Sequence, residues 1–171
     1  MSHFLAADER TLVHLMTEYG TDIKRLCLCL LNDSYLAEDA AQETFVKAWR
    51  NLSGFRNECS EKTWLCKIAV NTCHSMRRGF WSRSVTTHAP EDMPEGEASQ
   101  FPEYDPTVWN AVQALPEPLK SSLILRYYEG LSMQETALAL GTNVNTLNTR
   151  LRKAKSVLQE KLKGWYFDED E

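Results

Sequence analysis

The chain has 171 residues, of which 43% are apolar and 25% charged, so it can form one ordinary globular domain or two small ones. It has no run of about 18 apolar residues, and MSHFLAADER at its start lacks the basic head and apolar core of a signal peptide, so we expect neither a membrane span nor secretion. The net charge of −5 argues against a nucleic-acid partner. However, residues 142–163 carry six Lys or Arg and only one acid, and this local positive charge matters more for binding phosphate than the net charge does. These features favour a cytoplasmic protein whose five cysteines stay reduced.

The N-terminal half has helical periodicity and lacks the alternation typical of β-strands. Its apolar spacing predicts three helices, at about 8–31, 35–52 and 60–78. Asp33 or Ser34 can cap the second helix and Ser60 the third, because short polar side chains accept hydrogen bonds from the amides of a first turn. The loop SGFRNECS precedes the third helix.

The second predicted helix has two distinct faces. One is an apolar stripe at helical spacing: Ala41, Phe45, Ala48 and Leu52. The other gathers polar side chains around an exposed apolar one: Asp39, Gln42, Glu43 and Val46. This grouping fits either an ordinary exposed helix face or a contact surface for a partner.

Proline and acidic residues separate the two halves of the chain. All six prolines follow residue 89, and four of them lie in residues 82–106, which carry one Arg and six acids without periodicity. We therefore predict four parts: a domain at 1–82, a flexible acidic linker at 83–105, a domain at 106–165 and an acidic tail at 166–171. The expected fold is all-α, with an N-terminal bundle of three to four helices and a C-terminal four-helix domain.

Capping signals divide the C-terminal half into helices. Asp105 is a good N-cap, followed by Pro106 in the first turn. A second helix follows LPEP and ends near Gly130. A short third helix begins at the capping box Ser132–Glu135 and stops at Gly141.

The last predicted helix, from about Asn145 to Leu162, completes the layout of a helix-turn-helix. Its apolar stripe consists of Leu147, Leu151, Ala154, Leu158 and Leu162. Its outward face carries short hydrogen-bonding side chains and then cations: Thr146, Asn148, Thr149, Arg152 and Lys153. Because such side chains reach base edges and phosphates, the pattern favours a DNA-reading helix over a solvated basic one.

Three stretches together resemble the extracytoplasmic-function (ECF) sigma factors, group IV of the bacterial primary-type sigma family. They are AEDAAQETFVKAW, FRNECSEKTWLCKIAVNTCHSMRR and ALPEPLKSSLILRYYEGLSMQETALALGTNVNTLNTRLRKAK. The motifs follow the family order and spacing, and the resemblance covers nearly the whole chain apart from the linker and the termini.

The resemblance implies a promoter-specificity subunit of RNA polymerase without enzymatic activity, cofactor or metal. Residues 1–82 correspond to sigma region 2, which binds core polymerase and recognises and melts the −10 element. Residues 106–165 correspond to region 4, which recognises the −35 element. The face formed by Asp39, Gln42, Glu43 and Val46 corresponds to the one that docks on a coiled coil in the clamp of the largest polymerase subunit. An anti-sigma factor, often tethered to the membrane, is the implied regulator.

The resemblance also implies which residues contact promoter DNA. At the −10 element they are Phe55, Arg56, Asn57, Ser60, Lys62, Thr63, Lys67 and Asn71, with Arg77 and Arg78 nearer the upstream duplex phosphates. At the −35 element they are Thr146, Asn148, Thr149, Arg152 and Lys153. Trp64 is expected to pack rather than to stack on a base. Asn148 departs from the family, because many members carry Lys or Arg there, so a relative's −35 sequence does not transfer.

Two other functions fit parts of the sequence. A stand-alone dimeric helix-turn-helix regulator would bind a palindrome without polymerase and would not need the polar face of the second helix. A helical sensor would work through Cys66 and Cys73. These thiols lie two helical turns, about 10 Å, apart, too far to share one tetrahedral metal ion by themselves.

Overall fold

The structure, a computed structural model, describes residues 2–84 and 105–163, with side chains for 8–79 and 105–163. Within these ranges the chain is helical and contains no β-strand, which confirms the predicted all-α fold. The chain divides into two compact units, the first with three α-helices and the second with four. Apart from residues 83, 84 and 105, the predicted linker lies outside the described residues, and so does the acidic tail.

The first unit is a bundle of three long helices: α1 (Ser2–Leu31), α2 (Ser34–Arg50) and α3 (Glu61–Ser84). A 3-10 turn at Leu52–Gly54 follows α2. Helix α1 starts six residues earlier than predicted, and α3 ends six residues later. Neither extension contains proline, so the sequence has no helix breaker at the predicted ends. Each further residue of an existing helix adds one backbone hydrogen bond, which favours the longer helices.

Both predicted caps of the first unit are confirmed. The Asp33 carboxylate accepts a 2.9 Å hydrogen bond from the amide of Leu36, and the Ser60 hydroxyl accepts one of 3.1 Å from the amide of Thr63. Each of the three helices packs on the other two. Fully buried side chains in this core include Leu15, Ile23, Leu26, Leu65 and Val70.

The second unit contains α4 (Pro106–Gln113), α5 (Glu117–Leu123), α6 (Met133–Leu140) and α7 (Val144–Lys161). The Asp105 carboxylate caps α4 as predicted, accepting a 2.7 Å hydrogen bond from the amide of Thr107. Helix α5 continues as a π-helical turn at Ile124–Tyr128, which the sequence did not indicate. Gly130, with a φ of 70°, follows this turn in the left-handed region that glycine tolerates best.

The predicted helix-turn-helix is formed by α6 and α7. The capping box of Ser132 and Glu135 is present, and Gly141 ends α6 with a left-handed φ of 64°. Helix α7 is capped by Asn143, whose side chain accepts a 2.8 Å hydrogen bond from the amide of Thr146, so α7 starts one residue before Asn145. Buried side chains of α6 and α7 pack together in the core of this motif: Ala137, Leu147 and Leu151.

Replacing Ser132 by alanine is expected to destabilise the second unit by about 0.5–2 kcal/mol, because the amide of Glu135 loses its cap. Urea unfolding followed by far-ultraviolet circular dichroism measures this loss. The matched control is Gln134→Ala, at an exposed position of the same turn, which should leave the unfolding midpoint within error. Equal midpoints for the two variants would contradict the capping role.

Candidate functional site

The polar face of α2 is open to solvent in the first unit. Asp39 and Gln42 are exposed, Glu43 is half-buried, and Val46 keeps 38% of its surface accessible. These four residues, which we call the α2 patch, lie at i, i+3, i+4 and i+7 and so form one surface about two turns long. Two carboxylates and an amide around one apolar side chain suit a partner that offers basic groups around a small apolar contact.

The opposite side of α2 is packed into the bundle, which fixes the direction in which the patch points. Its buried residues are mostly small: Ala37, Ala40, Ala41, Thr44, Phe45 and Ala48. The ammonium group of Lys47 donates a 3.2 Å hydrogen bond to the hydroxyl of Thr72 in α3. Packing and this cross-link hold the α2 patch on a rigid element.

The loop between α2 and α3 has a defined shape. Asn57 adopts a left-handed backbone with a φ of 55°, which asparagine tolerates better than most residues. The ring of Phe55 stacks on that of Trp64, with 4.6 Å between centroids and 23° between planes. Trp64 therefore packs, as predicted, and its partner is an aromatic side chain of the loop.

The candidate −10 residues differ in how far they reach solvent. Six are exposed: Arg56, Asn57, Ser60, Lys67, Asn71 and Arg78. Three are half-buried: Phe55, Lys62 and Arg77. Thr63 is completely buried. Four of the exposed residues lie at i, i+7, i+11 and i+18 and therefore form one polar line along α3: the cap Ser60, Lys67, Asn71 and Arg78.

Two of these candidates make contacts within the bundle. Thr63 is buried, and its hydroxyl shares a 2.9 Å hydrogen bond with that of Ser60. The guanidinium of Arg77 donates a 2.9 Å hydrogen bond to the backbone carbonyl of Leu30. Arg77 therefore ties α3 to the end of α1.

A polar contact that the sequence did not indicate joins α1 to the start of α3. Glu61, the first residue of α3, has its Oε2 3.3 Å from Nε2 of His14. The Tyr19 hydroxyl donates a hydrogen bond to the same carboxylate. Burial raises the pKa of Tyr19, and the negative charge of Glu61 raises it further, so the phenol remains a donor. This contact fixes α3 where the loop with the −10 candidates ends.

Helix α7 presents four of the five candidate −35 residues to solvent: Asn148, Thr149, Arg152 and Lys153. Thr146 is half-buried, and its amide is engaged by the Asn143 cap. The buried side of the helix contains Leu147, Leu151 and Ala154, which confirms the predicted apolar stripe at these positions. The motif therefore has a packed side and a polar, basic outer side, the arrangement that a helix needs to enter the major groove.

The cysteines form neither a disulfide nor a metal centre in the part of the chain with described side chains. Cys27, Cys29, Cys66 and Cys73 are buried, and Cys59 is half-buried. The same part of the chain contains no group of three or more His, Cys, Asp or Glu side chains that could hold a metal ion. Burial of Cys66 and Cys73 disfavours the sensor hypothesis, because oxidants reach exposed thiolates.

None of the described helices has the length and apolarity to cross a bilayer.

Comparison with known proteins identifies both units. The family Sigma-70 region 2 matches residues 15–83, and Sigma-70, region 4 matches residues 107–158. The chain is 33% identical to the RNA polymerase sigma-H factor of Pseudomonas aeruginosa over 169 residues, covering 91% of this chain and 88% of the relative. It is 32% identical to the ECF RNA polymerase sigma-E factor of Haemophilus influenzae, covering 72% of this chain and 73% of that one. The chain belongs to the ECF sigma factor family.

Solved structures share the fold of this ECF sigma factor. One is the sigma factor RpoE of Bartonella quintana in complex with the anti-sigma factor NepR, with a TM-score of 0.71, 22% identity and coverage of 91% of this chain and 96% of that one. Another is CnrH in complex with the cytosolic domain of CnrY, with a TM-score of 0.70, 20% identity and coverage of 91% and 90%. As an RNA polymerase sigma factor, the chain directs promoter-specific initiation of transcription.

Proposed function

We propose that this ECF sigma factor docks on core RNA polymerase through the α2 patch and has no enzymatic activity of its own. The observation that carries this proposal is the exposure of Asp39, Gln42 and Val46 on a helix whose other side is packed. The proposed partner surface is the coiled coil in the clamp of the largest subunit, where basic side chains would pair with the carboxylates of the patch.

The proposed −10 surface is the polar line along α3 with the loop before it. Taking a base out of the DNA stack costs a few kcal/mol of free energy, and contacts with a protein pocket must offset that cost. The residues that support this role are exposed and polar: Arg56, Asn57, Ser60, Lys67, Asn71 and Arg78. The other two candidates with this proposed role, Phe55 and Lys62, are half-buried. Residues 1–82 are the proposed region 2 domain.

The proposed −35 surface is the exposed side of α7, within a region 4 domain at residues 106–165. Contacts with about 4–6 phosphates would give weak, strongly salt-dependent binding by the isolated chain, so specific recognition needs the polymerase. The proposed place of action is therefore the cytoplasm, with the polymerase.

An anti-sigma factor is the proposed regulator. Two proteins that share this fold form complexes with such partners, NepR and the cytosolic domain of CnrY. An inhibitor that covered the α2 patch would block polymerase docking without altering the fold.

Transcription in vitro with core polymerase on a pool of random promoters tests the proposal. The expected result is initiation at defined sites that share one −35 and one −10 sequence, and no product without the chain. Nanomolar binding of the pure chain to a palindrome at about 150 mM salt would instead support a stand-alone regulator. Absence of both initiation and association with core polymerase would overturn the proposed function.

A further inference from the structure

An exposed aromatic ring in the second unit is bordered by two cations. Tyr127 lies in the π-helical turn after α5 and keeps 52% of its surface accessible. The Nζ atom of Lys155, on α7, lies 4.9 Å from the centroid of this ring, and Cζ of Arg126 lies 5.5 Å from it. Both distances are within the range of cation–π attraction.

The two cations differ in how they are held. The guanidinium of Arg126 donates a 3.1 Å hydrogen bond to the carbonyl of Leu131, so its charge is fixed before the start of α6. Lys155 is exposed, and within the described residues it makes no ion pair. The ring therefore restrains an ammonium group that would otherwise sample many rotamers, and two positive charges border one exposed aromatic side chain.

Lys155 lies on the same side of α7 as two candidate −35 residues, and this position indicates the kind of ligand that it faces. Lys155 lies three residues after Arg152 and seven after Asn148, so all three are on the same side of the helix. At 1.5 Å per residue it lies about 10 Å beyond Asn148 along the axis. The first turns of a recognition helix meet base edges, and groups farther along the helix meet the sugar–phosphate backbone.

We propose that Lys155 binds a phosphodiester of the promoter duplex beside the −35 element, and that Tyr127 is a positioning residue which aims its ammonium group. This site rests on the proposed function and adds a contact outside the −35 residues named above. A phosphate is the fitting ligand because its anionic oxygens accept charge-assisted hydrogen bonds from an exposed ammonium group.

Neutralising single phosphates tests the contact. Holoenzyme binding is measured on a promoter from the random pool, with one backbone phosphate at a time replaced by an uncharged methylphosphonate. At one or two positions flanking the −35 element, the wild-type holoenzyme is expected to lose about 3- to 10-fold in affinity, while Lys155→Gln loses nothing further there. Lys155→Gln should also lower the slope of log affinity against log salt by about 0.9.

The matched control is Lys161→Gln, an exposed lysine farther along α7 and on another side of the helix. It should keep the wild-type salt slope and the wild-type response to every methylphosphonate. If Lys155→Gln responds like the wild type at all positions, the phosphate contact does not exist, although promoter binding itself stands. A wild-type holoenzyme that binds no promoter would overturn the proposed function and this site together.

Variants of Tyr127 test the positioning role separately from folding. Tyr127→Phe keeps the ring and should bind like the wild type. Tyr127→Leu should bind about two- to fivefold more weakly, and it should have no effect in the Lys155→Gln background. A Tyr127→Leu loss of equal size in both backgrounds would show that the ring acts through stability alone and would overturn its positioning role.

Discussion

Replacing Gln42 and Glu43 together by alanine is expected to weaken binding to core RNA polymerase by about 10- to 100-fold. Both side chains belong to the α2 patch, and neither is completely buried, so the partner can reach them. In the proposed contact, their removal would leave basic groups of the polymerase unpaired and desolvated, which costs more free energy than the loss of an exposed ion pair. Competition with a labelled sigma factor for core polymerase measures the affinity, and circular dichroism checks that the helices remain.

The matched control for this experiment is Glu38→Ala. Glu38 is an exposed acid on the same helix, and it forms an ion pair with Lys24 of α1. Exposed pairs of this kind contribute little to stability, so neither the fold nor the affinity for core polymerase should change measurably. Unchanged affinity of the Gln42→Ala, Glu43→Ala variant for core polymerase would show that the α2 patch does not bind the polymerase.

The exposure of Asp39, Gln42 and Val46 was predictable from the sequence, because the apolar spacing of the same helix identifies its buried side. Ala41, Phe45 and Ala48 mark the buried side by their spacing, and they are buried. Once that side is fixed, the period of 3.6 residues places Asp39 and Gln42 outside without any further information. The capping box of α6 was predictable for the same reason, since its partners are only three residues apart.

The burial of Thr63 follows from its position along α3. Thr63 lies three, seven and ten residues before Cys66, Val70 and Cys73, all of which are buried. This spacing assigns Thr63 to the core side of α3, whereas the family resemblance implied a contact between Thr63 and the −10 element. The burial of Thr63 was therefore predictable from helical periodicity.

Contacts between residues far apart in the chain could not be predicted. Arg77 reaches the carbonyl of Leu30, and His14 reaches Glu61, each across 47 residues. No local pattern encodes such pairs, because they depend on how the helices pack on one another. The cation–π contact of Lys155 with Tyr127 likewise depends on the π-helical turn, which places this ring next to α7.

Replacing Leu147 by alanine is expected to destabilise the second unit by about 2–5 kcal/mol. Leu147 is completely buried and packs with Ala137 and Leu151, so the substitution leaves a cavity between α6 and α7. A domain of this size is stable by only about 3–9 kcal/mol, so the loss opens much of the helix-turn-helix. Faster amide hydrogen exchange in α6 and α7 measures this effect locally.

The functional consequence of Leu147→Ala separates the two units. Initiation that depends on a −35 element should be lost, while affinity for core polymerase should stay normal, because the α2 patch lies in the first unit.

The adjacent change Asn148→Ala is the matched control. The Asn148 side chain is exposed, so stability should change by less than about 0.5 kcal/mol while the preferred −35 sequence changes. Loss of binding to core polymerase in Leu147→Ala would mean that the second unit also contributes to the free energy of that binding. Unchanged −35 preference in Asn148→Ala would exclude this side chain from base recognition.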